Sequence, residues 1–217
     1  ENVLIYEKAM RERNRLLKNQ IRDEHWYKVI ESQMAKAAVK IWASREETLK
    51  LVDEAQEWSE MLFPSAKLKL INAEDVEILS NSDDLAELLS QYRKRDIVAG
   101  RTLLGPHRDD LYGVFLAKNI PAKDSSTGEQ KALLISLILA NCRALKRQTG
   151  ITPLLLLDEV SAHLDAGRRS TLYDEICDLG AQAWLTGTGP ELFDDLGNRA
   201  QHLLAVDKDG KSSVLFQ

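Results

Sequence analysis

Long apolar runs and a secretion signal are both missing from this sequence. No apolar run approaches the roughly 20 residues of a membrane-spanning helix. The first ten residues lack the basic-then-apolar pattern of a signal peptide. These absences predict a cytoplasmic protein without membrane contact. The chain begins with Glu1 and not with methionine, which predicts a processed or partial chain.

A surplus of basic charge is missing as well. The formal net charge of the 217 residues is −5, so total charge does not argue for nucleic-acid binding. Two local runs are basic. Residues 8–22 carry six basic side chains against one acid, and residues 93–95 read Arg-Lys-Arg. Each run is either a solvated helix face or a surface that contacts phosphates.

Cysteine is scarce, which argues against a disulfide framework. The chain has two cysteines, Cys142 and Cys177, and both lie in apolar helical stretches. We predict two buried, reduced thiols. Hydrophobic residues make up 44% of the chain, which predicts a folded protein with a proper core.

The first part of the chain reads as helical. Glycine is absent before Gly100, and the first proline is Pro64. Apolar residues recur at helical spacing up to about residue 62, with Asp23 as the predicted N-cap of a second helix. Residues 66–73 alternate and predict a strand, and residues 82–99 predict another helix. Because no heptad is kept, a helical hairpin or small bundle is favoured over a coiled coil.

After Gly100, strands and helices alternate. The sequence predicts a strand at 110–117, a helix at 126–148 that is apolar nearly all round and therefore buried, a buried parallel strand at 152–159, an amphipathic helix at 166–179, a strand and turn at 181–189, and a terminal hairpin turning at Asp209–Gly210. This alternation predicts an α/β fold. We divide the chain into a helical arm domain, 1–92, and an α/β domain, 93–217.

Two adjacent acids end the apolar run "LLLLDE". Asp158 and Glu159 follow the predicted parallel strand, at the end where open α/β sheets bind ligands. Successive strand residues face opposite ways, so the two carboxylates need different roles. One can hold Mg²⁺ beside phosphate oxygens, and the other can polarise a water for attack on a γ-phosphate. A capped or salt-bridged strand end is the alternative.

The segment "SSTGEQK", 125–131, opens the long predicted helix. Ser126 offers a hydroxyl, Gly128 lets backbone approach a ligand, and the helix N-terminus favours an anion. The alternative is structural, with Ser126 as an N-cap and Glu129 completing a capping box. The order of elements is a small-residue helix start, a helix, an apolar strand, Asp-Glu, and then "SAHLD".

This order resembles the signature motif, Walker B motif and D-loop of an ABC-type ATPase head. The strings "RKRDIVAGRTLLGPHRDDLYGVFL", "STGEQKALL", "LLLLDEVSAHLD" and "AQAWLTGTGPELF" resemble the RecF family of bacterial recombination mediators. They cover residues 93–195 almost continuously. The resemblance implies the C-terminal lobe of such a head, preceded by a helical arm.

The resemblance implies roles for single residues. Asp158 would hold the Mg²⁺ of ATP, and Glu159 would be the catalytic carboxylate. Ser126, Gly128 and Glu129 would contact ATP held by a second copy, although Gln130 could replace Glu129 there. Asp165, with Ser161, would lie along the dimer seam. Thr188 falls where transporter ATPases place a histidine, with Thr186 as the other candidate γ-phosphate sensor.

The segment "GPHRDD" also matches the family string. Its residues His107, Arg108 and Asp109 either have a family-specific role or form a structural turn.

The resemblance further implies a function. ATP would drive dimerisation on DNA at single-strand/double-strand junctions or gaps. Slow hydrolysis, recombinase loading with RecO and RecR, and support of the SOS response would follow. The alternatives are another SMC-like or ABC-type ATPase head, or a non-enzymatic repair adaptor with a relic ATPase lobe.

The phosphate-binding loop pattern G-x-x-x-x-G-K-[ST] does not occur in the sequence. The resemblance implies weak, DNA-stimulated ATPase activity for the full-length protein, which would supply this loop. From these residues alone we expect neither tight ATP binding nor hydrolysis.

Overall fold

The structure is a computed structural model that describes residues 1–57, 63–72, 78–160, 164–199, 203–208 and 211–216. The helices are α1 (Asn2–Lys18), α2 (Glu24–Glu57), α3 (Ser82–Ala99), α4 (Thr127–Thr149) and α5 (Ala166–Leu179). The strands are β1 (Ala66–Asn72), β2 (Asp109–Phe115), β3 (Ile120–Pro121), β4 (Leu155–Leu157), β5 (Ala183–Leu185), β6 (Leu203–Lys208) and β7 (Lys211–Phe216). The predicted mixture of helix and sheet is confirmed. No helix in the described ranges has the length and apolarity that crossing a membrane requires.

The chain divides into two compact units. The first comprises Glu1–Lys50 and Leu68–Tyr112, and the second comprises Leu51–Lys67 and Gly113–Gln217. Strands β1, β2 and β3 form a sheet in that order, with β2 and β3 antiparallel. Strands β6 and β7 form an antiparallel hairpin, whose predicted turn lies outside the described residues. The division into 1–92 and 93–217 stays a prediction.

The first unit is a small helical bundle, as predicted. Its core is formed by apolar faces of α1, α2 and α3, with Leu16, Met34 and Leu89 among the fully buried side chains. Asp23 caps α2 as predicted, because its carboxylate accepts a hydrogen bond from the Trp26 N–H at 2.9 Å. Helix α3 begins after Asn81 and ends at Gly100, whose φ of +66° favours glycine.

A buried guanidinium joins the three helices of this unit. Arg13 of α1 is 0% exposed and forms ion pairs with Glu31 of α2 at 3.0 Å and Asp96 of α3 at 2.6 Å. It also donates to the Thr102 hydroxyl at 2.8 Å and to the Leu89 carbonyl at 2.8 Å. Every carboxylate that faces Arg13 is itself buried. Such a group is tolerated only when paired and hydrogen-bonded, so the network fixes how the helices pack.

The two basic runs are therefore not uniform surfaces. Arg13 is enclosed, and Arg93 is only 11% exposed because it pairs with Glu31 at 2.7 Å and stacks 4.4 Å from the ring centre of Tyr27. The hypothesis that these two arginines contact phosphates is wrong. Their charges neutralise carboxylates inside the fold.

The segment "GPHRDD" forms a structural turn into β2. Partial burial lowers the pKa of His107, which favours the neutral ring. Its Nε2 lies 3.1 Å from the Thr102 carbonyl, which can only accept, so Nδ1 accepts from the Tyr6 hydroxyl at 2.8 Å. Asp109 accepts from the Trp42 indole at 2.6 Å and from Arg45 at 2.8 Å. These contacts tie the turn to α1 and α2.

The second unit contains the parallel strands. Strands β4 and β5 pair in parallel, as predicted, with Leu156 opposite Trp184. Leu155 and Leu157 are buried in a core shared with α4 and α5. Leu156 and Trp184 are 72% and 51% exposed, so the expectation of a strand buried on both faces is wrong for this chain. One face of the strand pair is packed and the other is apolar and open.

Two further burial predictions need correction. Cys142 is buried, and burial raises the pKa of its thiol, whereas Cys177 is exposed; both are free thiols. The reason is that Cys177 lies on the solvent side of amphipathic α5, next to buried Ile176. Helix α4 is not enclosed all round, since Leu134 is exposed on one side.

Replacing Arg13 tests the buried network. We expect Arg13→Met to lower the free energy of unfolding by about 3–5 kcal/mol, because Glu31 and Asp96 lose their buried partner. Arg15→Met is the matched control on the same helix. Arg15 is 64% exposed and lies 3.8 Å from Glu12, so a change within about 0.5 kcal/mol is expected. Urea unfolding followed by circular dichroism measures both, and equal losses would contradict the interpretation.

Candidate nucleotide site

The predicted acids lie where the two parallel strands end. Asp158 and Glu159 follow β4, and Thr186 follows β5 directly. The Thr186 N–H donates to the Leu157 carbonyl at 3.1 Å, which extends the parallel ladder by one hydrogen bond. Because both chains leave the sheet at the same edge, residues 28 positions apart in sequence come into contact.

The Thr186 hydroxyl contacts both acidic residues, the side chain of Asp158 and the backbone of Glu159. It donates to Asp158 Oδ1 at 2.5 Å and accepts from the Glu159 N–H at 2.9 Å. Glu159 has a φ of +52°, the left-handed region that side chains other than glycine rarely adopt. The two carboxylates are exposed. The arrangement differs from a salt-bridged strand end, because a neutral hydroxyl and not a cation holds Asp158.

The Asp158 carboxylate fits a nucleotide-bound magnesium ion. Only its Oδ1 is engaged by Thr186, and the exposed group can offer its second oxygen. Among the described residues, no group of three or more His, Cys, Asp or Glu side chains is arranged to hold a metal ion. Magnesium in nucleotide sites is bound by one or two carboxylates together with phosphate oxygens. A single carboxylate at a strand end matches that pattern.

A capping box opens α4. Ser126 Oγ accepts from the Glu129 N–H, and Glu129 Oε2 accepts from the Ser126 N–H at 3.0 Å and from its hydroxyl at 2.8 Å. Lys118, in the turn between β2 and β3, pairs with Glu129 Oε1 at 2.6 Å. The structural alternative for Ser126 is therefore present in the fold. The lysine contact, followed by the two hydrogen bonds from Ser126, lowers the pKa of Glu129 to about 2.

Gln130 and Gly128 differ in what they contact. The Gln130 amide donates to the backbone carbonyls of Lys123 at 2.8 Å and Ser125 at 3.0 Å, so its side chain is turned back onto the preceding loop. A Cβ added at Gly128 would meet nothing within 4 Å among the described residues. The chain's own packing thus does not require glycine at this position.

Asp165 caps α5. Its carboxylate accepts from the Arg168 N–H at 2.9 Å. Ser161, the other residue assigned to a dimer seam, lies outside the described residues. Thr188 is exposed on the loop after β5, and the contacts with the acids are made by Thr186. The roles of Asp165 and Thr188 stay predictions.

The structure thus brings Asp158, Glu159 and Thr186 together, while the α4 start and Asp165 are held by separate local contacts. Sequence reasoning missed Lys118, which lies 11 positions before Glu129 in a turn without a motif. It also missed the close packing at Gly187, where an added Cβ would approach the Phe193 ring to 2.9 Å. The sequence signal for this close packing was the glycine directly after Thr186.

Comparison with known proteins gives a consistent result. The chain is 46% identical over 210 residues to the DNA replication and repair protein RecF of Rhizobium leguminosarum bv. trifolii, covering 93% of this chain and 56% of that protein. It is 46% identical over 208 residues to RecF of Brucella abortus strain 2308, covering 93% of this chain and 54% of that protein. The chain therefore spans about half the length of the curated relatives it matches. A scan of protein-family models found no match.

The fold has a solved counterpart. A structure of the recombination mediator protein RecF with ATP in the RecFOR pathway superposes with a TM-score of 0.72 at 23% identity, covering 99% of this chain and 57% of that one. The fold is therefore shared with about half of that RecF structure, and it combines helix and sheet with an N-terminal helical region, as predicted. By its sequence, the chain belongs to the RecF family of DNA replication and repair proteins.

The Lys118–Glu129 pair gives a pH prediction. Because the folded pKa of Glu129, about 2, lies below its ordinary value, the ion pair stabilises the fold above about pH 4.5 and this contribution is lost as pH falls toward 2. Lys118→Met should raise the Glu129 pKa toward its ordinary value. Lys123→Met is the control, since Lys123 meets Gln130 through its backbone carbonyl. NMR titration of the Glu129 carboxyl group measures its pKa in both variants. An unchanged pKa in Lys118→Met would contradict the Lys118–Glu129 ion pair as the main cause of the lowered pKa.

Proposed function

We propose that the full-length protein is a RecF-like DNA-repair ATPase. ATP drives its dimerisation on DNA at single-strand/double-strand junctions or gaps, and slow hydrolysis releases it. The observation that carries this proposal is the Asp158–Thr186–Glu159 arrangement at the end of two parallel strands. It occurs in a chain with 46% identity to RecF proteins. Recombinase loading with RecO and RecR, support of the SOS response and a cytoplasmic location belong to the same proposal.

The two carboxylates have different chemical roles. Asp158 would hold Mg²⁺, which neutralises charge on the phosphates when it is bound. Glu159 orients the attacking water and accepts its proton. The exposed position of both side chains supports these roles, because nucleotide and water must reach them.

The start of α4 would receive the γ-phosphate of ATP held by a second copy. Three kinds of group could contact the phosphate: backbone N–H groups of the first turn, the Ser126 hydroxyl, and Lys118 beside Glu129. The open space at Gly128 leaves room for the phosphate. Glu129 carries negative charge at this end, so an arriving phosphate must displace or share its hydrogen bonds. Asp165 would lie along the seam between the two copies, and Thr188 would sense the γ-phosphate.

A basic stripe on α1 would contact DNA phosphates. We define it as the five exposed side chains Lys8, Arg11, Arg15, Lys18 and Arg22. Their spacing alternates between three and four residues, so the four within α1 share one helix face. That part of the stripe is about 15 Å long at 1.5 Å per residue, enough to face several phosphates of a duplex. Buried Arg13 lies on the opposite face.

Trapping the dimer tests the ATPase proposal. We expect Glu159→Gln, in a protein with the full length of its relatives, to abolish turnover while ATP still drives dimerisation, because binding groups remain and the base is lost. Sedimentation with ATP, with and without a gapped duplex, measures this. A persistent dimer strengthened by DNA supports the proposal. Absence of any ATP-dependent dimer in the wild type would favour the non-enzymatic adaptor.

Salt dependence tests the basic stripe. We expect the triple variant Lys8→Gln, Arg11→Gln, Arg15→Gln to reduce the slope of log affinity against log salt by about 3, since each lost phosphate contact removes about 0.9. The matched control is Lys28→Gln, Lys36→Gln, Lys40→Gln, which removes equal charge from exposed positions of α2. Fluorescence anisotropy with a gapped duplex measures both. Equal slopes in the two variants would contradict a specific DNA surface on α1.

A further inference from the structure

Glu159 has a backbone conformation that needs an external support. Its φ of +52° places a residue with a long side chain in the left-handed region, immediately after β4. A residue other than glycine is strained in this conformation. Strain of this kind persists only where surrounding contacts determine it, so the contacts of Glu159 indicate what holds it.

The support comes from Thr186. A threonine hydroxyl has one proton, and that proton is directed to Asp158 Oδ1, so the oxygen must accept from the Glu159 N–H. The Thr186 N–H is fixed in turn by the Leu157 carbonyl. Three consecutive residues at the end of β4 are therefore held by the single residue that follows β5. Because threonine is β-branched, its hydroxyl has few positions available, which makes the link stiff.

We propose that Thr186 is a positioning residue for both carboxylates. It holds Asp158 by one oxygen while the other stays available to a metal ion, and it fixes the backbone of Glu159 in the left-handed conformation. The inference rests on the proposed function, since it assumes that Asp158 and Glu159 act on nucleotide. It differs from a γ-phosphate sensor, because Thr186 acts through the two acids and not on the phosphate.

The variants Thr186→Val and Thr186→Ser separate the contribution of the branched side-chain shape from that of the hydroxyl group. Valine keeps the branched shape and removes both hydrogen bonds, whereas serine keeps the hydroxyl. Thr171→Val is a control for the chemical change alone. The Thr171 hydroxyl donates to the Gly167 carbonyl within α5 at 3.0 Å and is remote in sequence from both acids.

Two readouts on the full-length protein test the proposal. The first is amide hydrogen exchange of Glu159 by NMR, which needs no turnover. We expect Thr186→Val to accelerate it about tenfold, because the acceptor of its N–H is lost. The second is steady-state ATP hydrolysis. A kcat about tenfold lower with KM for ATP within about threefold is expected, since misplacement of a catalytic group affects the chemical step more than binding. Thr186→Ser should restore both readouts, and Thr171→Val should change neither.

The outcomes distinguish the two proposals. Unchanged Glu159 exchange in Thr186→Val overturns the positioning role, even if Glu159→Gln abolishes turnover and the ATPase proposal stands. A raised KM with unchanged kcat also overturns it, and would indicate direct contact with nucleotide. If Glu159→Gln leaves turnover intact, the ATPase assignment fails, while the exchange measurement still decides whether Thr186 holds the Glu159 backbone.

Discussion

The helical unit depends on one charge that cannot reach water. Arg13 is enclosed by α1, α2 and α3, and its partners Glu31 and Asp96 are equally buried. Two buried carboxylates face one guanidinium, so one negative charge would stay unbalanced. Arg93 balances it by pairing with Glu31. The other basic residues of the two runs are exposed: Lys8, Arg11, Arg15, Lys18, Arg22, Lys94 and Arg95.

Much of the fold could be predicted because its signals are local. The Asp23 cap, the bounds of α3, the capping box at Ser126 and the parallel pairing of β4 depend on neighbouring residues or on short apolar runs. The burial of Arg13 also had a signal. It falls at helical spacing with buried Tyr6, Ala9 and Leu16, so its position, and not its charge, indicated the inward face. The number of charges in residues 8–22 does not show this pattern, because it does not separate the inward position of Arg13 from the outward positions of the other basic residues.

The geometry of the site was less accessible from sequence. Asp158 and Glu159 were identified from their place after an apolar strand, but the left-handed backbone of Glu159 depends on Thr186, 27 positions later. A hydroxyl that bridges two strand ends leaves no periodic pattern. The same holds for Lys118, whose contact with Glu129 arises from the path of a turn. Such contacts depend on how separate segments meet in the fold and not on either sequence segment alone.

Strand β5, which Thr186 follows, contains a natural fluorophore. Trp184 is half exposed, two residues before Thr186, and faces solvent beside Leu156. Trp26 and Trp42 belong to the other compact unit, and Trp42 is buried. When an apolar surface covers an exposed indole, its emission maximum shifts to shorter wavelength and iodide quenches it less. With Trp26, Trp42 and Trp58 replaced by phenylalanine, the fluorescence of Trp184 can therefore follow coverage of this strand pair in real time, without attached dyes.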